Sequence, residues 1–234
     1  MMKKIAFKIK ELRVKIISMT TAHPLSSTNS TIDQYAQINQ ILTRGVDKIL
    51  PDQKTLAQLM AKRPIKLYLG IDPTGAFLHL GHAVVLRKLQ QFADLGHEVI
   101  LLIGNGTVKI GDPTGRDESR PMLTEQEIEK NWQSWKEQAS TILNFKKITI
   151  KRNGDWLEQL NYADIVKLLA KTTVQQLLER DMFQKRLANN QPIFGHEIIY
   201  PLLQGYDSVV MNVDLEVGGT DQTFNMMMGR TLQK

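Results

Sequence analysis

Tyr68-Leu69-Gly70-Ile71-Asp72-Pro73-Thr74-Gly75-Ala76-Phe77-Leu78-His79-Leu80-Gly81-His82 is the stretch on which the fold turns. Lys66 to Ile71 alternates, with Leu67, Leu69 and Ile71 on one side, which predicts a strand. Asp72-Pro73-Thr74-Gly75 predicts a turn, and after His82 residues Val85, Leu89, Phe92 and Ala93 share one helical face up to Gly96. Glu98 to Ile103 is a short apolar run like a buried parallel strand, which completes a βαβ unit. In open α/β sheets a nucleotide binds in the crevice that strand ends leave, where the next helix directs its free N–H groups and positive dipole end. The two histidines would then stand where phosphate sits. Taken alone, His79-Leu80-Gly81-His82 is equally compatible with histidines that cap and pack.

Working outward, the second strand runs into Gly104-Asn105-Gly106 and then Gly111-Asp112-Pro113-Thr114-Gly115-Arg116. Glycine loops at neighbouring strand ends suit a nucleotide pocket, because backbone comes close to a ligand only where side chains are absent. Thr124 to Glu127 makes a capping box for a helix that places Ile128, Trp132, Trp135, Ala139 and Ile142 on one face, so the tryptophans are expected to pack. Lys147 to Lys151 predicts a short strand, and helices are expected near residues 162–170 and 173–188. This middle region, about 123–191, reads as a helical insertion. A helix from His196 to Gln204 carries Tyr200 and Gln204 on one face, with Asp207 near its end. Ser208 to Val213 has a strand pattern, and Gly218-Gly219-Thr220-Asp221-Gln222 is a third glycine loop that opens an apolar helix.

Upstream, Ile38, Ile41, Leu42, Val46, Ile49 and Leu50 recur at helical spacing, interrupted by Gly45 and stopped by Pro51. A second short helix, Gln53 to Ala61, leads into the sheet. Residues 1–31 are basic and rich in Ser and Thr, and are expected to be a disordered extension; an organellar presequence is the alternative. Residues 32–234 are expected to form the catalytic domain. Hydrophobic residues make up 42% of the 234, enough for a sizeable core. The absence of cysteine excludes a thiolate metal site and a cysteine nucleophile within this chain. No apolar run reaches the roughly 18 residues of a membrane span. A net charge of +6 weakly favours a polyanionic partner such as RNA.

Taken in their order and spacing, the Asp-Pro-Thr turn, His79 to His82, Gly111 to Gly115, Tyr200 through Asp207 and Gly218 to Gln222 resemble the catalytic domain of bacterial-type tyrosyl-tRNA synthetase, a class I aminoacyl-tRNA synthetase. The resemblance covers about residues 31–234. It implies an α/β fold, a Rossmann-like parallel sheet with helices on both faces and a helical connective insertion. It further implies ATP-dependent formation of tyrosyl-adenylate, transfer to tRNA(Tyr), and a cytoplasmic homodimer. Mg2+ would accompany ATP, with no dedicated protein metal site.

By the same resemblance His79, His82 and Thr74 meet the phosphates in the transition state, and Asp72, Gly81, Gly219 and Asp221 hold ATP or the adenylate. Tyr68 and Asp207 bind the substrate phenol; Asp112, Tyr200 and Gln204 bind its α-amino group. Gln222 lies by its carboxyl, and Arg116 and Arg120 fall near pyrophosphate. The family's second signature, a lysine- and serine-rich loop, and its anticodon-binding domain are not found before Lys234, so the sequence is expected to be a fragment of weak or no activity. A tryptophanyl-type synthetase and a non-catalytic RNA-binding or regulatory relative are the alternatives.

Overall fold

The computed structural model describes the backbone of residues 14–18, 30–114 and 123–234, with side chains from Asp33 onward. Its centre is a six-stranded sheet of order β2-β1-β6-β3-β4-β5. The strands are β1 (Val14–Ser18), β2 (Val46–Leu50), β3 (Lys66–Ile71), β4 (Glu98–Ile103), β5 (Ile148–Arg152) and β6 (Leu215–Gly219). β6, β3, β4 and β5 run parallel; β1 pairs antiparallel with β6 and parallel with β2, so the last two strands run the other way. This is the expected Rossmann-like α/β class with a reversed edge.

Helices α1 (Ser30–Thr43), α2 (Gln53–Lys62), α3 (Leu80–Asp94) and α4 (Glu125–Ala139) contribute to one large core. Alternation along β3 and β4 sends Leu67, Leu69, Val99, Leu101 and Ile103 into it, where they meet Leu86, Leu89 and Phe92 of α3 and Trp132 and Trp135 of α4. The opposite face carries Tyr68, Ile100 and Leu102, which pack with Met211 and Val213. That face is covered by α9 (Gly195–Met211), which follows the short helices α5 (Gly154–Leu157), α6 (Tyr162–Leu169), α7 (Val174–Leu178) and α8 (Asp181–Ala188); α10 (Thr223–Leu232) closes the described chain. One strand thus gives its leucines to the core and its tyrosine to the α9 side.

Several expectations change. Val14–Ser18, placed by sequence in a disordered extension, is β1, because β2 and β6 supply ladders on both its edges. Val46–Leu50, read as helical, is β2: Gly45 takes φ +70°, ending α1, and β1 satisfies the strand. The middle region is not wholly a helical insertion, since α4 crosses from β4 to parallel β5, continuing the βαβ rhythm. The helix expected over 173–188 breaks at Arg180, which is extended at ψ 133°. Ser208 to Val213 is not a strand. Its β-branched residues continue α9 to Met211, with Ser208 and Met211 buried at helical spacing, and Asn212 ends it in the left-handed region at φ 47°. Gly115, Arg116 and Arg120 lie outside the described residues.

Candidate active site

The C-terminal ends of β3, β4, β5 and β6 open together, and α3 starts from the same edge. Between β3 and β6, where the sheet switches direction of growth, lies a cavity of about 330 Å³. The turn after β3 brings Asp72 and Thr74 to it, the loop after β4 Gly104 and Thr107, the end of β5 Asn153, and the end of β6 Gly218 and Gly219. α9 contributes Tyr200, Gln204 and Asp207 from above. The loops lie very close to one another: a Cβ on Gly104 would come within 1.8 Å of Asp72 Oδ1 and 2.5 Å of Thr107 Oγ1.

At the closed end Asp207 is 2% exposed, and each of its oxygens accepts one hydrogen bond, from Asn153 Nδ2 at 3.1 Å and Trp156 Nε1 at 2.8 Å. Burial drives its carboxyl well above the usual range, and these two donors oppose that drift. Tyr68 lies fully buried beside it, its hydroxyl 2.9 Å from Ser208 Oγ. Further along, Tyr200 donates to Asp72 Oδ2 at 2.8 Å while Thr107 donates to Asp72 Oδ1 at 2.8 Å. Asp112 accepts from Thr114 and, at 2.8 Å, from Gln222 Nε2. Arg180 reaches the same loop, donating to Thr114 Oγ1 at 2.6 Å, with its guanidinium 4.0 Å from Asp112 and over the Phe224 ring.

The open end is the start of α3. His79 is its N-cap: its Nδ1 accepts from Gly81 N, while His82 Nδ1 accepts from His79 N. A ring nitrogen that accepts carries no proton, so in both rings Nε2 holds the N–H and remains available as a donor. Burial, with His79 adjacent, pushes His82 down to about 4, which keeps it neutral at physiological pH. Among the described residues the cavity is lined by Asp72, Asp112, Asp207, Glu216 and Asp221, with no lysine or arginine. Its inner part is therefore suited to a cation, and its mouth offers helix N–H groups and imidazole donors to an anion.

A family model described as tRNA synthetases class I (W and Y) matches residues 60–234. Tyrosine–tRNA ligase 2 of Vibrio vulnificus (strain YJ016) is 49% identical over 193 residues, covering 82% of this chain and 49% of that protein. The chain belongs to the class I tRNA synthetases of the tryptophan and tyrosine group. Tyrosine–tRNA ligase of Carboxydothermus hydrogenoformans is 47% identical over 207 residues, 87% of this chain and 50% of that protein, so the chain spans about half the length of the curated relatives it matches. In fold it is similar to a C-terminally truncated mitochondrial tyrosyl-tRNA synthetase of Aspergillus nidulans, with TM-score 0.69 and 22% identity over 86% of this chain and 64% of that one. The tyrosyl-tRNA synthetase of Archaeoglobus fulgidus, solved with L-tyrosine, gives 0.66 and 21% over 83% and 58%.

Within this synthetase scaffold the cavity gathers the expected Asp72, Thr74, His79, Gly81, His82, Asp112, Tyr200, Gln204, Asp207, Gly219, Asp221 and Gln222. Among the described residues Tyr68 is the exception, standing behind the lining against Ser208. Sequence reasoning passed over Asn153, Trp156, Thr107, Arg180 and Glu216. Two of these carried a signal: Asn153 directly follows the strand β5, at the kind of strand end where ligand-facing residues collect, and Glu216 is a lone carboxylate between Leu215 and Val217 in a buried strand.

Proposed function

We propose that this chain forms the substrate-binding part of a tyrosine–tRNA ligase, activating L-tyrosine with ATP and passing the tyrosyl group to tRNA(Tyr). The observation that carries it is Asp207: a buried carboxylate, held by Asn153 and Trp156, at the closed end of a cavity whose other end is the start of α3. A phenol entering head-first would donate its O–H to Asp207, and Tyr68 would contribute its hydroxyl from behind. The ammonium group would face Asp112, Tyr200 and Gln204, and the carboxylate would lie toward Gln222. Phenylalanine would leave buried polar groups unpaired; the tyrosyl enzyme is the standing example of selectivity obtained in this way without editing.

In the reaction a carboxylate oxygen of tyrosine attacks the α-phosphorus of ATP, the bond to the bridging oxygen breaks, and pyrophosphate departs with that electron pair. Charge builds on the phosphoryl oxygens, and no covalent enzyme intermediate is needed, so catalysis is positioning plus electrostatic stabilisation. The Nε2–H groups of His79 and His82, the Thr74 hydroxyl and the first N–H groups of α3 supply donors there. Asp221 would accept from the ribose hydroxyls, with Gly219 letting the sugar approach; Asp72 would orient the adenylate. Arg116 and Arg120 would meet pyrophosphate, and Mg2+ would arrive with ATP.

The same reading implies a cytoplasmic homodimer, to which the exposed Val166, Leu169, Val174 and Leu187 would bring apolar side chains; sedimentation showing only monomer at high concentration would remove it. Binding of L-tyrosine by this chain, with tryptophan and phenylalanine as controls, is the first test of function. Tyrosine-dependent ATP–pyrophosphate exchange is the second. Tryptophan binding in place of tyrosine would overturn the assignment.

A further inference from the structure

Glu216 takes no part in the contacts assigned so far, yet it lines the cavity, is 2% exposed, and stands in register with Tyr68 across the β3–β6 ladder. Its Oε1 accepts from Gln204 Nε2 at 2.9 Å, and the hydroxyl of Tyr68, its cross-strand partner, is the other hydrogen-bonding group beside it. A carboxylate buried in a fold with only neutral partners beside it is costly unless a ligand uses the charge. Gln204, in turn, gives one of its two amide N–H groups to Glu216, which fixes the orientation of the amide and leaves its carbonyl oxygen for the cavity it lines.

We propose that Glu216 is a positioning residue for the ammonium group of the bound amino acid: it orients Gln204 carbonyl-first and adds a negative charge behind it. This rests on the tyrosine reading above. A neutral amide alone would be free to flip and present N–H to an ammonium, which repels it; the Glu216 contact forbids that orientation. The groups packed around Glu216 are Tyr68 from β3 and Gln204 and Asp207 from α9, while β1 brings Ile17 opposite Glu216 and Lys15 opposite Gly218. Burial lifts the carboxyl to about 7, against hydrogen bonds from Gln204 and from the Tyr68 hydroxyl. An arriving ammonium favours the ionised form, so the bound state titrates lower than the free one. Affinity must therefore rise as pH climbs through neutrality and fall as Glu216 takes up its proton.

The test compares L-tyrosine with 3-(4-hydroxyphenyl)propanoate, which keeps the phenol and carboxylate and lacks the ammonium, by calorimetry on the unchanged chain, Glu216→Gln and Glu216→Ala. Glu216→Gln keeps the shape and loses the charge; it is expected to weaken tyrosine roughly tenfold and leave the propanoate unchanged. Between pH 6 and 8 its tyrosine affinity should rise less than that of the unchanged chain. Glu216→Ala, which also releases Gln204, should widen the ratio. Equal weakening of both ligands by Glu216→Gln, or none, overturns the inference while leaving tyrosine binding intact. An unchanged chain that binds neither ligand overturns the tyrosine reading and this inference together.

Discussion

The two ends of the cavity are built differently. At the inner end Tyr68, Asn153, Asp207 and Ser208 are all 2% exposed or less, and the polar groups there largely satisfy one another before any ligand arrives. At the outer end Thr74, His79 and Asp221 are exposed. The inner end is thus part of the fold's own hydrogen-bond network, so a change there costs stability as well as binding. The outer end can be altered with little cost to folding. This separation can be tested by measuring stability and turnover side by side.

The largest effect on stability belongs to Asp207→Ala. It strands the Asn153 amide and the Trp156 indole N–H in the interior, at about 1 to 3 kcal/mol for each orphaned donor. Chemical denaturation should show a loss of about 2 to 5 kcal/mol, and calorimetry no tyrosine binding. A variant as stable as the parent would mean that the inner network does not support the fold. Next comes Gly104→Ala. Its Cβ would collide with the Asp72 carboxylate, which is held from both sides by Thr107 and Tyr200 and cannot swing away without breaking them. A cost of about 1 to 3 kcal/mol is expected by the usual scale for overpacking, again with weakened tyrosine binding.

The same contrast explains what could be read from the sequence. The strand–turn–helix around Asp72 to His82 was legible because its determinants are local: alternation, a Pro-Thr-Gly turn and a helical face within 30 residues or so. The paired strands β1 and β2 were not, because their spacing is ambiguous and the ladder that decides it comes from far along the chain. Asp207 could be placed by resemblance, whereas its supports Asn153 and Trp156 are 54 and 51 residues away and meet it only once β5 and α9 are docked. Arg180 is similar: it looked like one more cation in a helix until the helix broke there and sent it 66 residues back, to Thr114.

His79→Ala belongs to the other end and carries a smaller stability cost. It removes a cap from α3, worth about 0.5 to 2 kcal/mol at most on an exposed start, while pyrophosphate exchange should fall about 10²- to 10³-fold, the usual loss for one transition-state donor. A rate unchanged by this substitution would leave the histidine as a cap and nothing more.

The smallest effect separates the two ends by pH. His82 is lowered in the fold, to about 4, so protonation reaches it only as pH falls toward that value. Its stabilising contribution is present above the ordinary histidine range and lost as pH drops through the folded value. Between pH 6 and 9, His82→Asn should therefore leave the pH dependence of tyrosine binding as it was, although the rate falls. Glu216, lifted to about 7, titrates inside that window, beside Asp207, which burial also raises well above the carboxylate range. A neutral-pH inflection in tyrosine affinity that survives Glu216→Gln and vanishes with His82→Asn would reverse the assignment. It would place the proton-sensitive group at the mouth of the cavity instead of its buried wall.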